Sequence, residues 1–483
     1  MSFLTMDGET QPPRACDRCH AIKERCEWMP DERQCDRCLR LQHVCETTRP
    51  KGRPGRKPGR RRKRLSTELG LSRIGSERLE ETRVLRARPG RRRQSIGLIA
   101  TIPKSISELS HVPTDEHQLV QRFFSQGNLL DTFSVGCSFR EKVRQQVIPH
   151  MLLSKATFMD GLLVCAISWL EDVEDKANSN RLSTCYQYAS SALATLAGLQ
   201  VTDFQTMTDC LMLGAMVSTF AVKLRLNDIL AITGRTLGLI EPVYTVSDPD
   251  RPEILVFMSC MVMWEIRGCL FSCAVPSLRF RPPTEPYADR HVGLCATLLP
   301  LLHDICKLSH TLIHAGNIDN MENREELHAV EQSVRQWQPV MPEDFTTRFD
   351  TVEVAHMLCQ AQVMRLTALL VIHRLQHPFG VNDAPAQVMS ATILSQLEMT
   401  LAATKQPVRC VDLALLVACL ELKETERRKW FPDIPTFAGF SAEFGEHVQD
   451  ALMSFWAAMD LFEIISWSEL TLSGFAFLRN HCA

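Results

Sequence analysis

Six cysteines near the N-terminus, Cys16, Cys19, Cys26, Cys35, Cys38 and Cys45, fall into two matching C-x2-C-x6-C units joined by an eight-residue loop that contains Pro30. A two-residue gap sets both sulfurs on one side of a turn, where a tetrahedral cation bridges them at about 2.3 Å. Six thiolates do not make two separate four-ligand sites. They do so if two sulfurs are shared, and the internal duplication makes Cys16 and Cys35, the first of each unit, the natural bridging pair. The competing chemistries fit less well. A disulfide framework belongs to a secreted context. A redox C-x-x-C has no reason to occur twice with matched downstream cysteines. An iron–sulfur cluster leaves the flanking Arg, Lys and His residues unexplained. The pattern therefore predicts two Zn2+ ions per chain. A segment of fewer than 40 residues rarely folds on apolar burial alone, so the metal must also supply its folding free energy.

The stretch "RACDRCHAIKERC…CDRCLRLQHVC" resembles the binuclear zinc cluster DNA-binding domain of fungal transcription factors, over roughly residues 14–48. The resemblance implies two short helices, one after each cysteine pair, packed around the metals. The first would point its C-terminal end into the major groove and read a CGG-type triplet. Between the second and third cysteines the family commonly carries R-x-x-K-x-K/R; here the stretch is His20-Ala21-Ile22-Lys23-Glu24-Arg25. Lys23 falls on the base-reading position and Arg25 on a phosphate-contacting one, while His20 stands where Arg is usual and Glu24 adds a negative charge. A lysine donor suits the O6 and N7 acceptors of guanine. Arg14, Arg18, Arg25 and Arg37 suit phosphates, which fix register and carry no sequence information.

Charge supports a polyanionic partner. Residues 1–100 hold 25 Lys and Arg against 13 Asp and Glu, a net of +12, whereas the remainder carries −14, so the chain's overall −2 conceals a basic arm on an acidic body. The densest part of the arm, "RPKGRPGRKPGRRRKR" from Arg49 to Arg64, has no apolar residue. It cannot bury a core and reads as disordered. It suits nuclear import through an import receptor and salt-sensitive phosphate contact. Its "KGRPGRKPGR" also resembles an AT-hook, with Arg53 and Arg56 entering a narrow A·T-rich minor groove. A second run, "RARPGRRRQS", ends in a site of the kind basophilic kinases accept at Ser95. Leu65, Leu69, Leu71, Ile74, Leu79, Val84 and Leu85 keep no heptad, so a homodimer would not come from a coiled coil here.

The elements beyond the arm read as helices. "SKATFMDGLLVCAISWLEDVEDK", opening on Ser154 as an N-cap, starts a series of apolar stretches of helical period that runs to about residue 480, with scarce alternating strands and no fixed repeat. The chain is thus expected to comprise an N-terminal tail 1–13, a zinc cluster 14–48, a basic linker 49–113 and a helical body 114–483. In fold class this is a small metal-stabilised two-helix zinc cluster domain, a disordered basic linker, then a large all-α regulatory domain. The longest apolar run, Ile254–Trp264, is short of a membrane span, and the first residues show no secretory pattern, so a soluble intracellular chain without a membrane partner is expected. The 13 further cysteines, unpaired in spacing, read as buried small hydrophobes.

Three histidines of the body could bind a metal at a catalytic site. His303, His310 and His314 share one helix face, but no C-x-x-C partner or HExxH glutamate accompanies them, and G-x-S-x-G, P-loop and G-x-G-x-x-G patterns are missing. The body reads as non-catalytic. Cys269 and Cys273 have apolar neighbours and read as core. Near the C-terminus, "DALMSFWAAMDLFEIISWSEL" mixes acidic residues with aromatics in the manner of activation segments that recruit coactivators. Yet Leu452, Phe455, Met459 and Phe462 also form one helical stripe, as a core helix would. The sequence therefore points to a nuclear, sequence-specific regulator of RNA polymerase II genes that binds double-stranded DNA and contacts the transcription machinery. The family resemblance suggests fungal metabolic or secondary-metabolite targets. The alternative is a zinc-stabilised protein-interaction scaffold.

Overall fold

A computed structural model describes residues 15–17, 19, 26, 35–41, 45–46, 114–125, 133–145, 154–170, 179–224, 229–247, 252–314, 321–438 and 442–471. They fall into two units, the cysteine segment within 1–94 and a helical body within 95–483. In the first unit the described helix is α1, Asp36–Arg40.

The body begins with α2, Thr114–Ser125. Then come α3, Lys155–Leu170, α4, Ser179–Gly198, α5, Phe204–Lys223, α6, Ile229–Val246, and α7, Pro252–Ser272. After an irregular stretch follow α8, Leu299–His314, α9, Met321–Gln336, the single turn α10, Phe345–Arg348, and the long α11, Thr351–Gln376. The remainder holds α12, Asp383–Thr404, α13, Asp412–Leu420, α14, Glu424–Trp430, α15, Ile434–Ala438, and α16, Ala442–Leu461. Among the described residues there is no strand; two isolated antiparallel bridges, Asp289 with Gly293 and Phe379 with Ile465, tie loops together.

Local chemistry explains where the key helices start. Asp203 caps α5: its Oδ1 accepts the Thr206 N–H at 2.8 Å, and Thr206 Oγ1 accepts the Asp203 N–H at 3.1 Å. Asp350 caps α11 in the same reciprocal manner, accepting from Val352 and Glu353 at 2.9 and 2.8 Å. Glu353, itself buried, also accepts the Ser138 N–H at 2.8 Å and so joins the cap to the chain before α3. Ser154 directly precedes α3; its carbonyl accepts the Thr157 N–H at 3.0 Å, and its hydroxyl donates to Asp209 Oδ2 at 3.1 Å, which ties the start of α3 to α5.

The helices pack as one apolar core. α3 lies against α2, α4 and α5, and α5 against α6 and α7. α8 connects α7 to α9 and α11, while α11 packs on α12 and α13. α13 is buried at every position from Asp412 to Leu420. Gly214 shows why α5 and α6 approach so closely. A Cβ there would sit 2.3 Å from Thr236 Oγ1, so only glycine lets the two backbones meet. By length and composition α11 is apolar enough to cross a membrane, although His, Glu and Arg interrupt it; in the body it is largely buried among other helices.

The core settles the C-terminal stretch. Leu452, Phe455, Trp456 and Trp467 are buried, and Trp467 donates its indole N–H to the Leu270 carbonyl at 3.1 Å while stacking on Phe271. Phe462 departs from the expected stripe. α16 ends at Leu461, so Phe462 leaves the helical face and stands 56% exposed. The body cysteines largely follow expectation: Cys165, Cys185, Cys210, Cys260, Cys269, Cys273, Cys295, Cys306, Cys359 and Cys419 are buried, and burial pushes their thiols up, so they remain neutral. Cys137 is exposed.

Candidate metal centre

The six N-terminal sulfurs converge. Cys16, Cys19, Cys35 and Cys38 are almost wholly buried, with Cys26 and Cys45 half-buried against them. They form two four-sulfur groups, Cys16-Cys19-Cys26-Cys35 and Cys16-Cys35-Cys38-Cys45, each with all its sulfurs within 4.8 Å of one another. Cys16 and Cys35 belong to both. Measured Sγ–Sγ separations are 3.8 Å for Cys16–Cys35, 3.7 Å for Cys16–Cys38 and 3.7 Å for Cys19–Cys35. A tetrahedron of sulfurs around an ion at about 2.3 Å has edges of about 3.8 Å. Disulfide sulfurs would stand about 2.05 Å apart. The donor set and its spacing therefore fit a thiolate-bound tetrahedral cation.

Backbone amides make the duplication visible. The Cys16 N–H donates to Cys26 Sγ at 3.3 Å, and the equivalent Cys35 N–H donates to Cys45 Sγ at 3.4 Å. Cys19 N–H donates to Cys16 Sγ at 3.4 Å, and a 2.7 Å bond from Asp17 N–H to Glu46 O joins the two ends of the segment. α1 carries Cys38 one turn beyond Cys35.

Their surroundings shift the six thiols in opposite directions. At Cys16 burial resists ionisation, but the Cys19 amide and the neighbouring thiols of Cys19, Cys38 and Cys35 outweigh it and bring the group down to about 6. Cys35 is lowered for the same reasons, with Cys38 supplying the amide. Burial and proximity to the others raise Cys19, Cys26 and Cys45, and push Cys38 up to about 12. Thiols packed this closely do not all ionise without a compensating cation. Those N–H to sulfur bonds depend on backbone placement, and no residue type in the segment announces them.

Of the residues expected to touch DNA, Arg18, His20, Lys23, Arg25, Arg53 and Arg56 lie outside the described residues, as do the basic linker and its apolar residues from Leu65 to Leu85. Arg37 is on α1, with its side chain also outside them.

His303 and His310 on α8 are engaged with different partners. His310 Nδ1 pairs with the Cys273 carbonyl at 3.1 Å, and His303 Nδ1 lies 3.4 Å from Asp304 Oδ1. The His314 side chain is outside the described residues. Among the described residues, the groups of three or more side chains spaced to hold a metal ion are the two cysteine sets.

Comparison with known proteins bears on the body. Residues 245–477 match the family model described as the fungal specific transcription factor domain. The match covers a little under half of the chain. It runs from the end of α6 through the last described helical turn and does not reach the cysteine segment, so the metal centre rests on its own geometry. No curated protein and no solved structure matches the chain. The matched family implies a non-enzymatic role and a nuclear setting with DNA and transcription machinery as partners.

Proposed function

We propose that this chain is a sequence-specific DNA-binding protein of the binuclear zinc cluster type. The observation that carries this reading is the pair of four-sulfur groups sharing Cys16 and Cys35, in the same chain as a fungal specific transcription factor domain. One Zn2+ is held by Cys16, Cys19, Cys26 and Cys35, and a second by Cys16, Cys35, Cys38 and Cys45. The ions supply folding free energy and neutralise sulfurs that otherwise resist ionisation. Residues 14–48 form the DNA-binding domain, 49–113 the basic linker and 114–483 the regulatory body.

Lys23 donates to guanine acceptors in a CGG-type half-site, and Arg18, His20, Arg25 and Arg37 line the phosphates. The Arg49–Arg64 arm adds salt-dependent affinity, engages the import receptor, and places Arg53 and Arg56 in an adjoining minor groove. The targets are RNA polymerase II genes of a metabolic or secondary-metabolite set, and the helical body governs output.

The test is binding of the zinc-loaded full-length protein to a CGG-containing duplex and to its scrambled counterpart. The specific duplex should bind more tightly, with Lys23→Ala erasing most of that preference, worth about 1–3 kcal/mol for a good base contact. Strong chelation should abolish it. Equal binding to both duplexes with zinc loaded refutes sequence reading and favours the scaffold alternative.

A further inference from the structure

The end of α11 carries two histidines one turn apart. His377 follows the last helical residue and donates its N–H to the His373 carbonyl at 2.8 Å. The two rings are neighbours, with centroids 4.8 Å apart and planes tilted by 49°. Spacing of i, i+4 is the one at which a single helix face offers two imidazoles to one cation. The stretch is His373-Arg374-Leu375-Gln376-His377, with no glutamate between the histidines. It therefore holds no general base and points to binding, not to catalysis.

The ring separation suits a shared ion. A ligating ring nitrogen stands about 2.0–2.1 Å from the metal, which puts each ring centre about 3.2 Å from it. Centres 4.8 Å apart then subtend about 97° at the ion, between the square and the tetrahedral angle.

A second, independent feature is the hydrogen bond that orients His373. Its Nε2 lies 3.0 Å from the Asn382 carbonyl oxygen. A carbonyl only accepts, so Nε2 carries the ring proton and Nδ1 keeps its lone pair. Metal-ligating histidines are held in this manner, by donation from the other ring nitrogen to a carbonyl or carboxylate. Among the described residues nothing hydrogen-bonds the His377 ring.

The frame around the pair is fixed and carries net negative charge. Buried Arg374 donates to the Pro378 carbonyl at 3.0 Å and lies over the Phe379 ring at 4.4 Å, so the turn after His377 is wrapped on its guanidinium. Glu421 and Asp383 pair with that guanidinium at 2.5 and 2.9 Å. Two carboxylates against one cation, at the C-terminal end of a 26-residue helix, favour a further positive charge nearby.

We propose that His373 and His377 form a two-imidazole site for a divalent transition cation of the Zn2+, Ni2+ or Cu2+ class, with water in its remaining positions. With two protein ligands it is an exchangeable site, unlike the four-sulfur groups. It lies within the matched domain, where α11 turns into α12, and it stands apart from the DNA reading.

The full-length protein, saturated with Zn2+ and dialysed free of loosely held metal, is titrated with Ni2+ in a calorimeter. Ni2+ should bind saturably. His373→Ala and His377→Ala should each lower that affinity by about a hundredfold, as the loss of one ligand does. His328→Ala, which removes an exposed histidine from α9, should leave it unchanged. In the unaltered protein Ni2+ should also protect His377 from carbethoxylation by diethyl pyrocarbonate, read by peptide mass spectrometry. Ni2+ binding that survives either α11 substitution undiminished overturns the proposal, as does a lack of saturable binding. So does a His377 that is modified equally fast with and without Ni2+. The protection measurement uses no variant and decides the matter even if a variant does not fold.

Discussion

Sharing of Cys16 and Cys35 makes a quantitative prediction, because the six cysteines then differ in what their loss does. Replacing Cys26 by alanine removes a sulfur from one four-sulfur group and leaves Cys16, Cys35, Cys38 and Cys45 complete. Replacing Cys16 leaves both groups with three. Structural zinc in small domains binds with roughly 10–16 kcal/mol for four ligands, so one ligand is worth about 3 kcal/mol, or two to three orders of magnitude in affinity. Cys26→Ala and Cys45→Ala should therefore weaken one ion by that factor, and Cys16→Ala and Cys35→Ala should weaken both. The assay is zinc retained by the full-length protein after dialysis against a chelator of intermediate affinity, released with a thiol reagent and counted colorimetrically. Expected values are two ions for the unaltered chain, one for Cys26→Ala or Cys45→Ala, and none for Cys16→Ala or Cys35→Ala. A Cys16→Ala protein that keeps one ion, or retention that is the same for Cys16→Ala and Cys26→Ala, would show that the sulfurs are not shared and refute the reasoning.

Further expectations concern the body. Arg374→Ala should cost about 3–5 kcal/mol in urea unfolding, since the guanidinium donates to both oxygens of buried Glu421, at 2.7 and 2.5 Å, and its loss strands a buried carboxylate. Gly214→Ala should destabilise by about 1–3 kcal/mol through the clash with Thr236, against near neutrality for the exposed, unobstructed Gly198→Ala. Trp467→Ala should cost about 3–5 kcal/mol, and deletion of residues 449–483 should give an aggregating protein, because that stretch fills the core. Burial raises the Glu265 carboxyl above its ordinary range, against hydrogen bonds from Ser277. The folded state therefore holds this proton to higher pH than the unfolded one, and stability falls as pH rises from the ordinary glutamate value through the raised one. Glu265→Gln should flatten that part of the stability–pH curve; an unchanged slope in chemical denaturation would contradict it.

Much of the chain's character was written in residue types and spacing. Two C-x2-C-x6-C units need only local turn geometry to bring sulfurs together, so the metal chemistry and the doubling of Cys16 and Cys35 were legible before any coordinates. Helical periodicity likewise located α3 and gave the all-helical character of the body, because long helices such as α3 bury broad apolar surfaces. Short-range logic misled at Phe462, which is exposed because α16 stops one residue earlier. Nor could it show that the Ser154 hydroxyl at the start of α3 reaches Asp209 on α5.

What tertiary structure alone decided are the features built from residues far apart in the chain. Which backbone N–H groups face which sulfurs in the cysteine segment is a matter of loop placement. The acidic–aromatic C-terminal stretch is compatible with an activation segment or a core helix in composition; burial of Trp456 and Trp467 against helices some 37 and 197 residues away makes it core. A cleft of the body beside Arg290 has no sequence signature whatever. The rings that line it, Phe123, Phe133, Trp169, Phe257 and Trp264, come from four separate segments, each ordinary by itself, and only packing brings them together.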